Sequence, residues 1–278
     1  MLQSATIRVE QKLLQWTQAF RKVTRGQHDR LAYATMAELD LTLNPQATIE
    51  VRQIDADNIC VIVDDFLVNP ESVAEYAALY SDRFEIPPRS YPGMVAEVRA
   101  NFTGDIQRFV RSSMSKHFGY LRGGIDAYSL LSMTTLKPDE LSNLQRLCHS
   151  DPRTRPGRAN YAGLLYLFRD ESLGGTGFYR WRDRPTMEKA TALELQDPKA
   201  ALAFLQEHYP SFREPPCYIT ESNEIAELID VVAAKFNRWI FYSGDLPHSA
   251  YITAPDKLSD DFRVGRLTLN CFASVVPA

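Results

Sequence analysis

The sequence predicts an α+β protein whose core is a jelly roll, a barrel-like sandwich of antiparallel sheets flanked by helices. Three observations carry this expectation. Segments 161–168, 237–243 and 265–272 are apolar runs of strand length bounded by glycine or polar turns. Helix-like stretches lie before and between these runs. His149 and Asp151, which can share one site with His248, precede it by almost a hundred residues, and a jelly roll brings distant strands to one mouth.

The elements follow in order. Residues 5–25 place Leu13, Trp16, Phe20 and Val23 at helical spacing, the pattern of an amphipathic helix packed on the main domain. Residues 26–48 are polar and aperiodic, and read as a linker with a short helical turn. Segments 49–54 and 59–63 form strands around Asp55-Ala56-Asp57-Asn58. Asn69 caps a helix with Pro70 in its first turn, running to about Tyr80. Pro87, Pro88 and Pro92 force a loop. A second helix fits 103–118, a long strand 127–136 and a short helix 138–147. After strand 161–168, the turn Gly174-Gly175-Thr176-Gly177 enters another strand through Tyr179. Asp197-Pro198 opens a helix with Leu202, Leu205 and His208 in step, and Ser222 caps a further helix to about Ala234. The domain division is therefore an N-terminal helical extension, 1–48, and a jelly-roll domain, 49–278, with a helical insertion at about 183–236. The insertion either shapes a substrate pocket or covers an open sheet edge.

A chain of 278 residues with 45% hydrophobic and 24% charged residues has an ordinary globular composition. A net charge of −4, with no basic run interleaved with aromatics, points away from nucleic acid as a partner. Cys60, Cys148, Cys217 and Cys271 contain no C-x-x-C pair, which suits a reducing cytoplasm and not a disulfide scaffold. No apolar run reaches the ~18 residues of a membrane span, and Arg8, Glu10 and Lys12 interrupt any signal-peptide core. A soluble cytoplasmic protein is expected.

His149-Ser150-Asp151 carries the chemistry. In an extended segment residues i and i+2 point to one side, so His149 and Asp151 can reach one ion together. His248, in Gly244-Asp245-Leu246-Pro247-His248, can supply the third ligand. Two imidazoles and a carboxylate on one face of a metal leave the other face open, the facial triad of non-haem Fe(II) oxygenases. A turn histidine beside a solvated aspartate would give the same letters. Cys148 is expected to face away, since adjacent strand residues alternate sides.

The order of the triad, the double glycine and the terminal Arg266-x-Thr268 resembles the 2-oxoglutarate/Fe(II)-dependent dioxygenase superfamily, nearest its prolyl-hydroxylase-like branch. Within it, the chain looks like a bacterial family of unassigned function. The resemblance spans roughly residues 55–276. It implies a double-stranded β-helix core with Fe(II) held by His149, Asp151 and His248. It also implies 2-oxoglutarate as cosubstrate, dioxygen as co-reactant, and hydroxylation or desaturation of a prime substrate. That substrate is left open among small molecules, peptides and protein residues. Asp151 disfavours halogenation, because the related halogenases need that position vacated for halide.

The same resemblance implies a barrel-facing anchor for the distal carboxylate of 2-oxoglutarate at Arg266 and Thr268, with Tyr166 assisting. Arginine suits this role through its two-pronged donor geometry. Arg266, Thr268 and Asn270 alternate with Leu267, Leu269 and Cys271, as they also would on an ordinary strand with its polar face in water. Arg263 is the rival anchor, but strand parity points it the other way. Arg180, Trp181 and Arg182 stand near the expected mouth, either as substrate contacts or as a solvated strand end. His28, His117 and His208 read as linker or helix-end residues. Two alternatives remain: a non-catalytic ligand-binding protein on the same fold, and a zinc hydrolase.

Overall fold

The strands assemble into two antiparallel sheets. The computed structural model describes residues 39–87, 91–98, 100–119, 122–151, 157–194 and 196–276. Asp40–Ala278 form one compact unit. The helix expected over 5–25 lies outside the described residues.

The strands are β1 (Thr48–Gln53), β2 (Ile59–Asp64), β3 (Gly93–Glu97), β4 (Arg122–Thr134) and β5 (Ala159–Tyr166), then β6 (Gly175–Trp181), β7 (Ala226–Val232), β8 (Trp239–Ser243), β9 (His248–Tyr251) and β10 (Arg266–Val276). The helices are α1 (Glu71–Leu79), α2 (Ala100–Phe109), α3 (Arg184–Glu194) and α4 (Pro198–His208). The large sheet runs β1-β2-β8-β5-β10-β4-β3 and the small one β7-β6-β9.

Register fixes what each face of the large sheet carries. Cys60, Tyr242, Ala162, Phe272 and Tyr128 form one transverse row across β2, β8, β5, β10 and β4. With a side-chain period of two, Tyr166, Arg266 and Thr268 share that face. The face packs with the small sheet, as Phe178 of β6 meets Tyr242 at 4.9 Å between ring centroids. Tyr166, Phe168, Phe178, Tyr242 and Leu246 belong to the same buried cluster. On the opposite face Trp239 stacks on Phe66 at 5.0 Å and meets Phe109 of α2 edge-on at 5.4 Å. Burial of such rings contributes on the order of 2–3 kcal/mol each. Gly163 lies beneath Trp239, where an added Cβ would come within 2.7 Å of the indole.

Several elements depart from the expectations. Helix α1 begins at Glu71, with Pro70 at the cap position and no side-chain cap bond. Asn69 takes part through its carbonyl, which accepts from the Ser72 hydroxyl at 2.7 Å. Helix α2 starts earlier than expected and passes into a π turn over Val110–Met114. Residues 138–147 hold two 3₁₀ turns, Pro138–Glu140 and Leu144–Arg146, where a short α-helix was expected. Strand β3 and helix α3 were not anticipated. The helix expected from Ser222 to Ala234 is strand β7, in register with β6. Ile225, Leu228, Ile229 and Val232 satisfy a helical period, but the β-branched run favours a strand once a partner exists. Ser222 instead accepts from the Leu228 amide at 2.9 Å. Helix α4 matches its signal, as Asp197 accepts from the amides of Lys199 and Ala200.

Candidate metal centre

His149 and Asp151 stand on the connection from β4 to β5, and His248 opens β9. The two segments meet at an isolated bridge between His149 and His248. The His149 amide donates to the His248 carbonyl at 2.9 Å, and the reverse bond is 2.8 Å. Asp151 is held beside them, its amide donating to the Gly244 carbonyl at 2.7 Å. Next to it the Ser150 hydroxyl donates to the Asp245 carbonyl at 2.9 Å. One ligand atom from each of His149, Asp151 and His248 lies within 4.8 Å of the others. The structure therefore brings together all three residues that the sequence singled out.

The donor set fits a metal ion. His248 Nδ1 lies 2.8 Å from the Leu246 carbonyl, which can only accept. That bond puts the proton on Nδ1 and leaves the Nε2 lone pair facing Asp151 Oδ1, 3.9 Å away. Asp151 Oδ2 is buried and has no hydrogen-bond partner among the described residues. An ionised oxygen so placed is costly unless a cation satisfies it. Gly244 allows the close approach, since an added Cβ would lie 3.0 Å from that same Oδ2.

Burial sets the protonation states. It pushes the Asp151 carboxyl up to about 6, with His149 opposing and Asp245 adding. Burial pushes His248 down to about 4, opposed by its bond to Leu246. His149 moves the same way through crowding by the surrounding protein and the proximity of His248, with Asp151 opposing, although the residue is exposed to solvent. At neutral pH the carboxyl is ionised and both imidazoles are neutral, the state that ligation requires.

Arg266, Thr268 and Tyr166 are all fully or almost fully buried on the inward face of the large sheet. Arg266 donates to the carbonyls of Leu173 at 3.1 Å and Gly175 at 3.0 Å, and to the Thr134 hydroxyl at 3.2 Å. The glycine turn makes this possible: Gly174 has φ 89° and a Cβ there would lie 1.9 Å from the Tyr251 carbonyl. Among the described residues no carboxylate pairs with Arg266. Tyr166 and Thr176 share a hydroxyl–hydroxyl bond of 2.8 Å, and Thr268 donates to the Ser132 carbonyl at 3.4 Å. Tyr166 and Thr268 are register partners on β5 and β10.

Arg263 points outward, as expected, for a different reason. It precedes β10 in a turn and is exposed, 3.9 Å from Asp261. Cys148 is buried among Tyr179, Met187 and Leu205, away from the triad. His117 follows α2 and its π turn, while His208 ends α4 and contacts the Phe204 carbonyl at 2.8 Å. His28 lies outside the described residues. Arg180 and Trp181 line a cavity of about 360 Å³ with Asp245 and Leu246, next to the turn that delivers His248. Sequence reasoning missed Tyr242, whose ring meets His248 at 4.9 Å, and Thr134, which bonds Arg266. Only strand register reveals either.

Fold and site together define a mixed helix and strand protein with antiparallel sheets, in which two histidines and one carboxylate are grouped as candidate metal ligands. The chain belongs to the family of unknown function DUF6445, whose model matches residues 45–273. No curated protein matches it. Among solved structures it is similar to the viral collagen prolyl hydroxylase vCPH of Paramecium Bursaria Chlorella virus-1, solved with 2OG. That match has 11% identity and TM-score 0.38, covering 79% of this chain and 96% of that one. A prolyl-4-hydroxylase of Pseudomonas putida gives 11% and 0.38, over 79% and 92%. HygX of Streptomyces hygroscopicus, with nickel, 2-oxoglutarate and hygromycin B bound, gives 10% and 0.38, over 79% and 83%.

Proposed function

We propose that this chain is an Fe(II)- and 2-oxoglutarate-dependent oxygenase, a hydroxylase on a double-stranded β-helix core. The observation that carries the reading is the grouping of Asp151, whose Oδ2 has no hydrogen-bond partner among the described residues, with the ring nitrogens of His149 and His248. His149, Asp151 and His248 would hold the metal. Bound Fe(II) and 2-oxoglutarate would supply an oxidant made from dioxygen, directed at a small molecule, a peptide or a protein residue.

The chain's own residues prepare the site. Leu246 fixes the tautomer of His248, and Gly244 makes room for the Asp151 carboxylate. Arg266, buried without a carboxylate partner among the described residues, is the anchor for the distal carboxylate of 2-oxoglutarate, with Thr268 and Tyr166 beside it. Its existing bonds to the glycine turn orient the guanidinium before any ligand arrives. Tyr242 and Phe178 keep the space beneath His248 apolar and dry. The same proposal places the protein in the bacterial cytoplasm, where the free Cys60, Cys148, Cys217 and Cys271 stay reduced.

The test is anaerobic reconstitution with Fe(II) and 2-oxoglutarate. The reading expects a visible metal-to-ligand charge-transfer band, then oxygen-dependent succinate formation. Absence of both would overturn it.

A further inference from the structure

Two of the three candidate ligands stand on a segment without a continuous strand ladder. Between the end of β4 at Thr134 and the start of β5 at Ala159, the described backbone has two 3₁₀ turns and the one bridge at His149. Beyond the bridge to β9 at His149, the stretch that leads up to it is held by contacts outside the sheets. The side chains just before His149 make these contacts.

Asn143 donates from one amide nitrogen to Glu194 Oε2 at 2.8 Å and to the Pro198 carbonyl at 3.1 Å. It thus grips the last residue of α3 and the first of α4. Glu194 is only 3% exposed and Asn143 is half-buried, so the bond is partly shielded from solvent. Arg146 reaches the Ser211 carbonyl at 3.1 Å and the Glu214 carbonyl at 3.3 Å, and lies over the Phe212 ring at 4.4 Å. Leu147 and Cys148, immediately before His149, are buried in one cluster with Met187 and Ala190 of α3, Leu205 of α4, and Tyr209 and Phe212 after it. Upstream, the Tyr218 hydroxyl donates to the Leu136 carbonyl at 2.8 Å. The hydrogen-bond partners of Asn143, Arg146 and Leu136 all lie between residues 194 and 218, while the apolar cluster also takes in Tyr179 of β6 and Ile225 and Ala226.

We infer that the helical insertion α3–α4 is a clamp on the His149 arm, with Asn143 and Arg146 as positioning residues that set where His149 meets Asp151 and His248. The inference rests on the metal reading above and adds to it a role for the insertion. The geometry argues against a lid for this part of the insertion, because its inner surface is occupied by the ligand-bearing segment. Hydrogen bonds and packing here act through one more link than a partner bonded directly to a ligand. Their loss should therefore fall near the lower end of the ~10–100-fold seen for such partners.

The test compares the full-length protein with Asn143→Ala, Arg146→Ala, their double variant and Arg184→Ala, which alters an exposed residue of α3. Two quantities are read: Co(II) affinity by anaerobic titration of its visible absorption, and amide hydrogen exchange of residues 147–151 in the metal-free protein. The clamp predicts about tenfold weaker Co(II) binding in the double variant and faster exchange at 147–151. Arg184→Ala should match wild type, and Arg146→Lys should recover part of the loss. If the double variant fails to fold, Asn143→Ser severs the same two bonds more gently and is read in the same way. Co(II) affinity and exchange unmoved in folded variants would overturn the clamp alone. Failure of the unsubstituted protein to take up Co(II) would overturn the metal reading, and the inference with it.

Discussion

His149 and His248 are joined backbone to backbone by a reciprocal pair of hydrogen bonds of 2.9 and 2.8 Å, and their rings lie 4.5 Å apart. The pair makes a single rung between a loop and a strand. It sets both imidazoles beside the Asp151 carboxyl.

Removing any one ligand should abolish tight metal binding. His149→Ala, Asp151→Ala and His248→Ala are each expected to lose orders of magnitude in Fe(II) or Co(II) affinity, beyond the ~10–100-fold of an outer partner. Metal stoichiometry after anaerobic loading and desalting measures this, and circular dichroism checks that the fold persists. Unchanged stoichiometry in all three variants would remove the assignment.

Metal uptake should follow the Asp151 proton first. Asp151 titrates at about 6 in the metal-free protein and His248 at about 4. Log affinity should be flat above pH 6, fall with a slope near one proton from about pH 6 towards 4, and steepen below as the imidazoles compete. Titrations across that range test it. A steep loss already under way at pH 7 would contradict these assignments.

The metal-free protein should be strained by its own carboxylate. The folded Asp151 pKa is raised above its ordinary 3.8, so its ionisation costs stability as pH rises from about 4 through about 6. The shift corresponds to a cost on the order of 2–3 kcal/mol once complete. Asp151→Asn should therefore melt higher than metal-free wild type at pH 7.5, with the gap closing towards pH 4. The His248 shift owes nothing to Asp151 and so drops out of the difference, whereas His149 loses the opposing pull of that carboxylate and is pushed further down in the variant. Equal melting temperatures at pH 7.5 would count against a buried, unsatisfied carboxylate.

Arg266→Ala should abolish 2-oxoglutarate binding while sparing metal. Removing the partner of a buried carboxylate costs about 3–5 kcal/mol, a few hundredfold or more. Arg266→Lys should be intermediate, keeping charge but losing the fork. Arg263→Ala should bind normally, because Arg263 lies exposed ahead of β10. The charge-transfer band of the anaerobic Fe(II) protein reports all three. Equal affinity in wild type and Arg266→Ala would remove 2-oxoglutarate from the proposal.

Gly244→Ala should weaken the metal without deleting a ligand. Its Cβ would sit 3.0 Å from Asp151 Oδ2 and force the carboxylate to shift. About a tenfold loss of Co(II) affinity is expected, with an altered absorption spectrum. An unchanged spectrum and affinity would show that Asp151 accommodates the methyl group.

The triad was legible because its chemistry is written in residue type, and His149-Ser150-Asp151 supplies two ligands from a single extended stretch. Arg266 and Thr268 were legible as a strand face, but alternation alone also fits a face in water, and the expectation that it is buried rests on the resemblance. Strand β7 was not legible, since Ile225, Leu228, Ile229 and Val232 satisfy a helix as well as a sheet. The choice is made by β6, which no local window contains. The 3₁₀ turns before His149 were hidden for a similar reason. Asn143, Arg146 and Lys137 bind residues far along the chain, at 194, 211 and 255 among others, and those long-range ties override local helix propensity.

The rung between His149 and His248 has a consequence for how the protein survives in a cell. On the proposed reading, an ion at this centre ties residues 149–151 to residue 248 as a staple would, closing a loop of almost a hundred residues. Cross-links over such spans restrict the unfolded chain by an amount worth about 4–5 kcal/mol in the entropy model. The apoprotein would open more often and be cleared by proteases, so cellular levels of the chain would report iron supply even when its prime substrate is absent.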